Sequence, residues 1–335
     1  MNLTLHLPGL CWYDPYDGPD LCRELPMPSL SLMLARGQRQ ATPSRPSQHL
    51  LHTFRLPAAS IAATLAAQAG LATAGRHWLI ADPVNLRVDR DRALLGDIGI
   101  MNLSQDEADQ LVASLNQLFA DDGFAFHAPT PDRWFLSLPA ASQAYFTPLP
   151  DVIGEDINHH LPTGPQSMLW SRYLNEMQMP LYTQATNDAR ELRGDTPVNS
   201  LWLWGEQGAD SPAPQPPQLP LYADSPLYQA LARASNSQAE AVPYLFRDCP
   251  PQDALIVLDA LEAPAQFRDA WGWRETMQRI EQDWFAPLLA AMKAGQLQTL
   301  TLSCDGEAGF TLQLQRRQLW KFWQAGKPLS ELYPQ

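Results

Sequence analysis

The sequence predicts an α/β protein: a core with a mainly parallel sheet flanked by helices, plus an inserted, smaller α+β domain. Segments with strand-like alternation are separated by segments with helical spacing, which is the order expected of parallel strands joined by helices. ALIVLDAL (254–261) is apolar through its centre, as is typical of a parallel strand buried on both faces. Residues 76–186 resemble a separate α+β unit, and long buried strands return after them. We therefore predict a core domain formed by residues 1–75 and 187–335 and an inserted domain formed by residues 76–186.

In the first half of the chain, alternation, capping residues and glycines predict the positions of strands and helices. LTLHLPGL (3–10) alternates and then breaks at Pro-Gly, which indicates a strand. The clearest helix is 104–123, because Ser104 and Glu107 have the capping-box spacing and Gly123 ends the pattern. The same kinds of signal predict helices at 27–37 and 57–72 and strands at 77–86 and 133–138.

In the second half, prolines decide two of the predictions. SPAPQPPQLP (211–220) is so rich in proline that we expect an extended segment there. Pro287 is expected to kink a long helix at 273–295. The remaining patterns predict a helix at 165–182 and strands at 200–204, 254–261, 297–304 and 310–315.

The composition excludes several classes of function. The 335 residues are 45% hydrophobic and carry 23 basic and 36 acidic side chains, a net charge of −13. This balance argues against a general role on nucleic acid or on anionic membranes, although a few concentrated arginines could still bind a small anion. No apolar run approaches the roughly 18 residues of a transmembrane helix, and the N-terminus lacks the pattern of a signal peptide. The four cysteines form no CxxC pair, so we interpret them as reduced thiols of a cytoplasmic protein.

Several motifs along the chain occur in an order that indicates one family. They are PMPSLSLMLARG (26–37), TPLPDVIGEDINHHLPTG (147–164), NDARELRGDTPVNSLWLWG (187–205), ALIVLDALEAPAQFRDAWGWRETMQRIEQDWFAPLL (254–289) and LQTLTLSCDGEAG (297–309). Together they resemble the motifs of archaeal-type cofactor-independent phosphoglycerate mutases, which belong to the alkaline phosphatase superfamily. The chain is also similar to bacterial phosphoglycerate-mutase-like proteins of the RpfE type, which are described as regulatory. The resemblance implies an alkaline-phosphatase-like core domain.

Active enzymes of this family bind two divalent metals through Asp and His side chains and use a serine nucleophile. The resemblance therefore implies a site at which two metals clamp the attacking and leaving oxygens of a phosphoryl group. The Asp-Gly expected after the first strand is replaced by HLPGLCW, which has no carboxylate. Asp14 and Asp17 come later, in a segment whose composition is typical of Asx turns. The first part of the implied metal site is therefore missing from the sequence.

The nucleophile loop of the family corresponds here to TPSRPSQHLL (42–51). His49 and Leu50 match that loop, but Arg45 stands at the position of the serine. Ser44 and Ser47 flank Arg45 and are the candidate catalytic residues, although no activating base is adjacent to them in the sequence.

The late metal ligands of the family are also incomplete. Asp259 has no histidine after it, Asp305 is followed by glycine, and no histidine occurs after His160. We therefore predict no metal site and no cofactor, with Mn²⁺, Mg²⁺ or Zn²⁺ required only if the site has been rebuilt. Five loop carboxylates could in principle hold Mg²⁺, but the interpretation as solvated side chains is favoured, because Asp and Glu are mostly exposed: Asp259, Glu262, Asp269, Asp305 and Glu307.

The substrate side of the family's motifs is better matched. Arg133 begins a predicted strand, and Asn187, Arg190 and Asn199 match the second motif of the family. Arginine binds phosphate and carboxylate through two parallel hydrogen bonds, so these four residues are the candidate ligand-binding residues. The alternative is structural: Asn187 could cap a helix, and Arg190 could pair with a neighbouring acid.

Two functions are compatible with these observations. The first is a degenerate phosphoglycerate-mutase-like protein without the catalytic metal site, which binds a ligand or protein partner in a regulatory role. Its ligand would be a small phosphorylated or carboxylated anion. The second is an active phosphoglycerate mutase, phosphotransferase or phosphatase with a rebuilt metal site. The missing late histidines favour the first.

Overall fold

The computed structural model describes residues 1–89, 92–96, 101–208, 210–321 and 323–333. It divides into two compact units, of which the first comprises Met1–Arg55 and Gln215–Gln335 and the second comprises Leu56–Pro214. The second unit is a single stretch of sequence that interrupts the first. In the described ranges, no helix is long and apolar enough to cross a membrane.

The helices of the described residues lie in both units. In chain order they are α1 (Gly18–Leu21), α2 (Pro28–Arg36), α3 (Pro46–Thr53), α4 (Ala62–Gln68), α5 (Gln105–Leu118), α6 (Ser167–Tyr182), α7 (Ala185–Arg193), α8 (Pro226–Ala234), α9 (Glu262–Gln266), α10 (Ala270–Ile280) and α11 (Ala286–Ala294).

The strands form one sheet in each unit. In chain order they are β1 (Asn2–His6), β2 (Gln38–Ala41), β3 (His77–Asp89), β4 (Arg92–Gly96), β5 (Ala125–Thr130), β6 (Arg133–Leu138), β7 (Ser200–Gln207), β8 (Leu221–Ala223), β9 (Ala239–Glu240), β10 (Ala254–Val257), β11 (Thr299–Ser303) and β12 (Phe310–Gln315).

The sheet of the first unit is mainly parallel. Its described strands lie in the order β2-β12-β11-β1-β10-β8-β9, and β11, β1, β10, β8 and β9 run parallel. β10 lies between β1 and β8, which explains its almost uninterrupted apolar sequence. Among the described strands of this sheet, the antiparallel pairings are those of β12 with β11 and with β2, at one edge. The predicted α/β fold with a mainly parallel sheet and flanking helices is confirmed.

One buried carboxylate helps to join the helices of the first unit. The side chain of Glu281 accepts hydrogen bonds from the backbone N–H groups of Ser29 (2.7 Å) and Leu30 (3.2 Å) at the start of α2. These groups have no partner within the helix, and the helix dipole favours a negative charge beside them. Glu281 begins a π-helical turn, Glu281–Phe285, that separates α10 from α11. The irregularity predicted for this long helix therefore lies directly before Pro287.

The sheet of the second unit is antiparallel. Its described strands lie in the order β4-β3-β6-β5, and β7 also pairs with β3. The predicted capping box is present, since Ser104 Oγ accepts from the backbone N–H of Glu107 and the Glu107 carboxylate accepts from the backbone N–H of Ser104. α5 and α6 pack with this sheet around buried aromatic and aliphatic side chains, among them Phe119, Trp134 and Trp170.

The unit boundaries differ from those expected from the sequence. Residues 56–75 and 187–214 were placed in the core, but the structure places them in the second unit. The reason is strand pairing: β7 is hydrogen-bonded to β3, with Val84 opposite Ser200 and Ile80 opposite Trp204. The apolar character of 200–204 correctly indicates a buried strand, but does not indicate the sheet to which it belongs.

Candidate functional site

The carboxyl ends of the parallel strands of the first unit carry a set of polar side chains. His6 is the last residue of β1, Asp224 follows β8 directly, Asp259 follows β10, and Asp305 comes soon after β11. In open α/β sheets, ligands bind at this edge, because the loops that leave the strands there surround a crevice. We refer to these residues and the groups that contact them as the carboxyl edge.

Two stacked imidazoles form its centre. The rings of His6 and His49 lie 3.5 Å apart between centroids, with only 6° between their planes. His49 Nδ1 is 2.6 Å from the hydroxyl of Tyr228, and His6 Nδ1 is 3.0 Å from Ser303 Oγ. Each ring therefore has one nitrogen engaged by a hydroxyl group, and β1, β11, α3 and α8 each contribute one member of the cluster.

Both imidazoles are held in the neutral form. Burial lowers the pKa of His49 to about 3, with a further contribution from nearby His52. Burial also lowers the pKa of His6 well below its ordinary value, and the neighbouring His49 lowers it further. Two charged imidazoles stacked face to face would repel each other in a medium that solvates them poorly. Near neutral pH the pair is therefore uncharged.

The buried carboxylate of Asp305 is bound by groups from the first loop. Its Oδ1 accepts from the backbone N–H of Gly9 (3.0 Å), and both its oxygens lie near the hydroxyl of Tyr13 (3.2 and 3.3 Å). Gly9 has φ +74°, and a Cβ there would lie 2.5 Å from the carbonyl oxygen of Leu261. Glycine is therefore required for this loop to approach Asp305 so closely.

Other ionisable groups at this edge also favour their uncharged forms. Burial raises the pKa of Asp259, and the nearby charge of Asp224 raises it further. Burial likewise raises the pKa of Tyr228 well above its ordinary value, as do the charges of Glu262, Asp305 and Asp259. The edge thus combines neutral hydrogen-bonding groups with a concentration of carboxylates.

The candidate nucleophiles lie in the same unit. Ser44 is paired with Gly306 through two backbone hydrogen bonds, Ser44 N–H to Gly306 O (3.3 Å) and Gly306 N–H to Ser44 O (2.8 Å). This pairing places Ser44 beside the loop of Asp305. Ser47 is buried in the first turn of α3, the helix that carries His49. The catalytic role of Ser44 and Ser47 stays a prediction.

The side chains at this edge do not fit a pair of catalytic metal ions. The rings of His6 and His49 face each other, so their in-plane lone pairs do not converge on one point. The Asp305 carboxylate accepts hydrogen bonds that a metal would have to replace, and the loop after β1 contributes the apolar side chains of Leu7 and Leu10. Across the described ranges, no group of three or more His, Cys, Asp or Glu side chains is placed to hold a metal ion.

In the second unit, Arg190 is an internal connector. Its side chain is fully buried and donates to the carboxylate of Glu107 (Nη1, 2.8 Å), to the carbonyl of Thr196 (Nε, 3.1 Å; Nη2, 3.0 Å) and to the carbonyl of Met101. Arg193 also donates to Glu107, at 2.5 Å. Burial alone would raise the pKa of Glu107, but hydrogen bonds from Ser104 and Arg193 and the charge of Arg190 lower it to about 2.

Asn187 joins two segments of the chain in the same way. Its Nδ2 donates to the carbonyls of Leu181 and Val198 (2.7 Å each), and its Oδ1 accepts from the N–H of Val198 (3.0 Å). Asn199 forms a similar pair of bonds with the backbone of Leu86, at 2.7 and 2.9 Å. These amides satisfy backbone groups at the end of α6, in β3 and in the chain entering β7.

Arg133 is tied to a different partner. Its Nη1 lies 2.9 Å from Oδ2 of the buried Asp82, which also accepts from the indole N–H of Trp204 at 2.9 Å. The contacts of Arg133, Asn187, Arg190 and Asn199 therefore support structural roles within the second unit. Their assignment as ligand-binding residues stays a prediction.

Sequence reasoning missed several members of the carboxyl edge, among them His6 and Tyr228. His6 ends a strand with alternating apolar residues, and a histidine at the end of a parallel strand is a signal that could have been used. Tyr228 follows a short strand of only three residues, Leu221–Ala223, that the proline-rich segment before it obscured.

No family model matches the chain. Among curated proteins, the 2,3-bisphosphoglycerate-independent phosphoglycerate mutase of Methanosarcina mazei is 27% identical over 135 residues, which are 38% of this chain and 34% of that protein. The probable mutase of the same kind from Geobacter sulfurreducens is 27% identical over 124 residues, 36% of this chain and 31% of that protein.

This chain is a distant homologue of the archaeal-type phosphoglycerate mutases. It spans about a third of the length of the curated relatives that it matches. Among solved structures, a cofactor-independent phosphoglycerate mutase from Thermoplasma acidophilum is 14% identical, with a TM-score of 0.43 over 99% of this chain and 94% of that one. A protein from Pyrococcus horikoshii is 11% identical, with a TM-score of 0.48 over 98% of this chain and 91% of that one.

Proposed function

We propose that this chain is a phosphoglycerate-mutase-like protein that has lost two-metal catalysis and works by binding a ligand or protein partner in a regulatory role. The observation that carries the proposal is the stacked pair of His6 and His49, whose Nδ1 atoms lie within hydrogen-bond distance of Ser303 Oγ and the Tyr228 hydroxyl. Two-metal phosphoryl transfer requires carboxylates and imidazoles that converge on the ions. Here the two imidazole rings are stacked face to face, so their in-plane nitrogens do not converge on one ion.

The second candidate function is an active mutase with a rebuilt site. It is favoured by the carboxylates of Asp224, Asp259 and Asp305, which follow neighbouring parallel strands, and by the neutral state of the imidazoles. Hard divalent cations prefer carboxylate oxygens, so this alternative makes a definite prediction. Any activity would depend on added Mn²⁺ or Mg²⁺ and would be lost in the variant Asp305→Asn.

The test is an assay of the purified protein for interconversion of phosphoglycerate isomers and for phosphatase activity, with Mn²⁺, Mg²⁺ or Zn²⁺ added in turn. The Methanosarcina mazei mutase, assayed in parallel, is the positive control. We expect the rate with this chain to equal that of a buffer blank, and Asp305→Asn to change nothing. Metal-dependent turnover that Asp305→Asn abolishes would overturn the proposal in favour of the active enzyme.

A further inference from the structure

A cavity of about 410 Å³ is lined by residues of the second unit. It is lined by Leu71 and Ala72 from the segment before β3, by Arg76 and Trp78, and by Phe124 and His127 from the region of β5. Its volume is within the range of small-molecule sites, about 300–1,000 Å³.

Arg76 is held in position by oxygens that carry no formal charge. Its Nε donates to Ser137 Oγ (3.1 Å), and its Nη2 donates to the carbonyls of Ser137 (3.0 Å) and Gly123 (2.5 Å). In the part of the chain that the structure describes, no carboxylate forms an ion pair with this guanidinium. The arginine is therefore oriented but not neutralised, in a protein whose net charge is −13.

Two other arginines of the second unit, unlike Arg76, form ion pairs with carboxylates. Arg133 and Arg190 each pair with a buried or half-buried carboxylate, Asp82 and Glu107 respectively. Because an ion pair already balances their charge, a second anion would have to compete with that carboxylate. Arg76 carries no such competitor, so an incoming anion gains the full charge-assisted hydrogen bond.

Apolar and aromatic side chains surround the guanidinium. Trp78 is almost fully buried and its ring lies 5.3 Å from that of His127, while Phe124 is stacked on Trp170 at 5.8 Å with 3° between the planes. Burial lowers the pKa of His127, and the charge of Arg76 lowers it further. The cavity thus presents one positive charge beside a rigid apolar wall.

We propose that this cavity binds a small organic carboxylate with a single negative charge and an aromatic or branched apolar body. Nε and Nη2 of Arg76 donate to oxygens of the protein, so a carboxylate would accept from Nη1, and the wall of Trp78, Phe124 and Leu71 matches the apolar body. A single cation balances one negative charge, which disfavours inorganic phosphate and doubly charged phosphate esters. The site would serve the binding role proposed above, and it rests on that role for its biological meaning.

The test is a titration of the purified full chain with three probes: phenylacetate, its neutral analogue 2-phenylethanol, and inorganic phosphate. Binding is measured by calorimetry and by the shifts of the Trp78 indole and His127 imidazole resonances, which require no variant. We expect saturable binding of phenylacetate, with 2-phenylethanol and phosphate at least about tenfold weaker, because only phenylacetate combines a single carboxylate for Arg76 with an apolar body for the wall. Equal binding of 2-phenylethanol, equal binding of phosphate, or no saturation by phenylacetate would overturn the proposal.

Two matched variants locate the site. Arg76→Gln removes the charge and should weaken phenylacetate binding at least about tenfold, whereas Arg172→Gln removes an exposed arginine of the same unit and should change it less than about twofold. Equal binding by wild type and Arg76→Gln would contradict the assignment. If Arg76→Gln does not fold, Ala72→Phe, which fills the cavity from an exposed position, replaces it with the same expected loss.

The two proposals fail separately. Absent mutase activity together with absent phenylacetate binding rejects the cavity and leaves the loss of catalysis standing. Metal-dependent mutase activity in a chain that still binds phenylacetate through Arg76 rejects the loss of catalysis and leaves the cavity standing.

Discussion

The segment 185–199 of the second unit and the carboxyl edge of the first unit differ in what their polar groups do. In the segment, Arg190, Asn187 and Asn199 match a family motif, yet their hydrogen bonds go to Glu107 and to backbone atoms of the same unit. At the carboxyl edge the sequence differs from the mutase motifs, since Asp259 has no histidine after it and Asp305 is followed by glycine. Even so, buried polar groups such as His6 and Asp305 are concentrated where α/β proteins bind their ligands.

Residues that match a family motif therefore need not contact a ligand. A buried arginine and asparagine can be required because the backbone around them has carbonyls and N–H groups to satisfy. The motif 187–199 is then a signal of how the second unit folds. A ligand-binding site is expected instead at the carboxyl edge, where buried polar side chains follow the parallel strands.

The largest expected effect is the loss of the buried guanidinium. Arg190→Gln should lower the free energy of unfolding by about 3–5 kcal/mol, because it breaks a buried ion pair and leaves the carbonyls of Met101 and Thr196 without their donor. The measurement is urea denaturation. The control is Arg193→Gln, which removes an exposed partner of the same Glu107 and should cost less than about 1 kcal/mol. Equal, small effects of both variants would mean that Arg190 is not a structural connector.

A smaller loss is expected at Asn187. Asn187→Ala should cost about 2–3 kcal/mol in the same denaturation experiment, because it leaves buried backbone groups of Leu181 and Val198 unsatisfied. Asn158→Ala, at an exposed position, should stay within about 0.5 kcal/mol of the wild type. A stable Asn187→Ala protein that had lost ligand binding would favour the motif's ligand-binding interpretation instead.

His49 at the carboxyl edge should make the free energy of unfolding depend on pH. The pKa of His49 is about 3 in the folded protein and 6.5 in its ordinary state, so below pH 6.5 the unfolded chain takes up a proton that the folded chain does not. Stability is therefore full above pH 6.5 and falls as the pH decreases toward 3. Between pH 7 and 5 this one histidine should account for a loss of about 2 kcal/mol.

The measurement is the free energy of unfolding at pH 7 and pH 5 for the wild type, His49→Gln and the control His159→Gln, whose side chain is 81% exposed. The decrease in the free energy of unfolding between pH 7 and pH 5 should be about 2 kcal/mol smaller in His49→Gln than in the wild type. In the control it should equal that of the wild type. Identical pH dependence in all three proteins would show that His49 is not held neutral.

The sequence predicted the features that depend on local spacing. The strands 133–138 and 310–315 have the bounds expected from alternation, and the capping box of Ser104 and Glu107 follows from a four-residue pattern. The role of Arg190 could not be predicted, because its carboxylate partner is 83 residues away. The contact between His49 and Tyr228 could not be predicted either, because the two residues are 179 positions apart and lie on different helices, α3 and α8.

The smallest effect is expected at Ser44. Its pairing with Gly306 uses backbone atoms, so Ser44→Ala should keep that pairing and change the free energy of unfolding by less than about 0.5 kcal/mol. If Ser44 were a nucleophile of an active enzyme, the same variant would abolish turnover with little change in stability. The phosphatase and mutase assays on Ser44→Ala distinguish these outcomes.

The central claim is that the carboxyl edge no longer binds catalytic metal ions. Electron paramagnetic resonance of free Mn²⁺ during titration with the purified protein tests it directly, because the free-ion signal falls when the ion is bound. We predict that the signal follows the added Mn²⁺ without a stoichiometric loss. Disappearance of about two Mn²⁺ per chain, reversed in the variant Asp305→Asn, would contradict the claim and favour a two-metal mechanism for this chain.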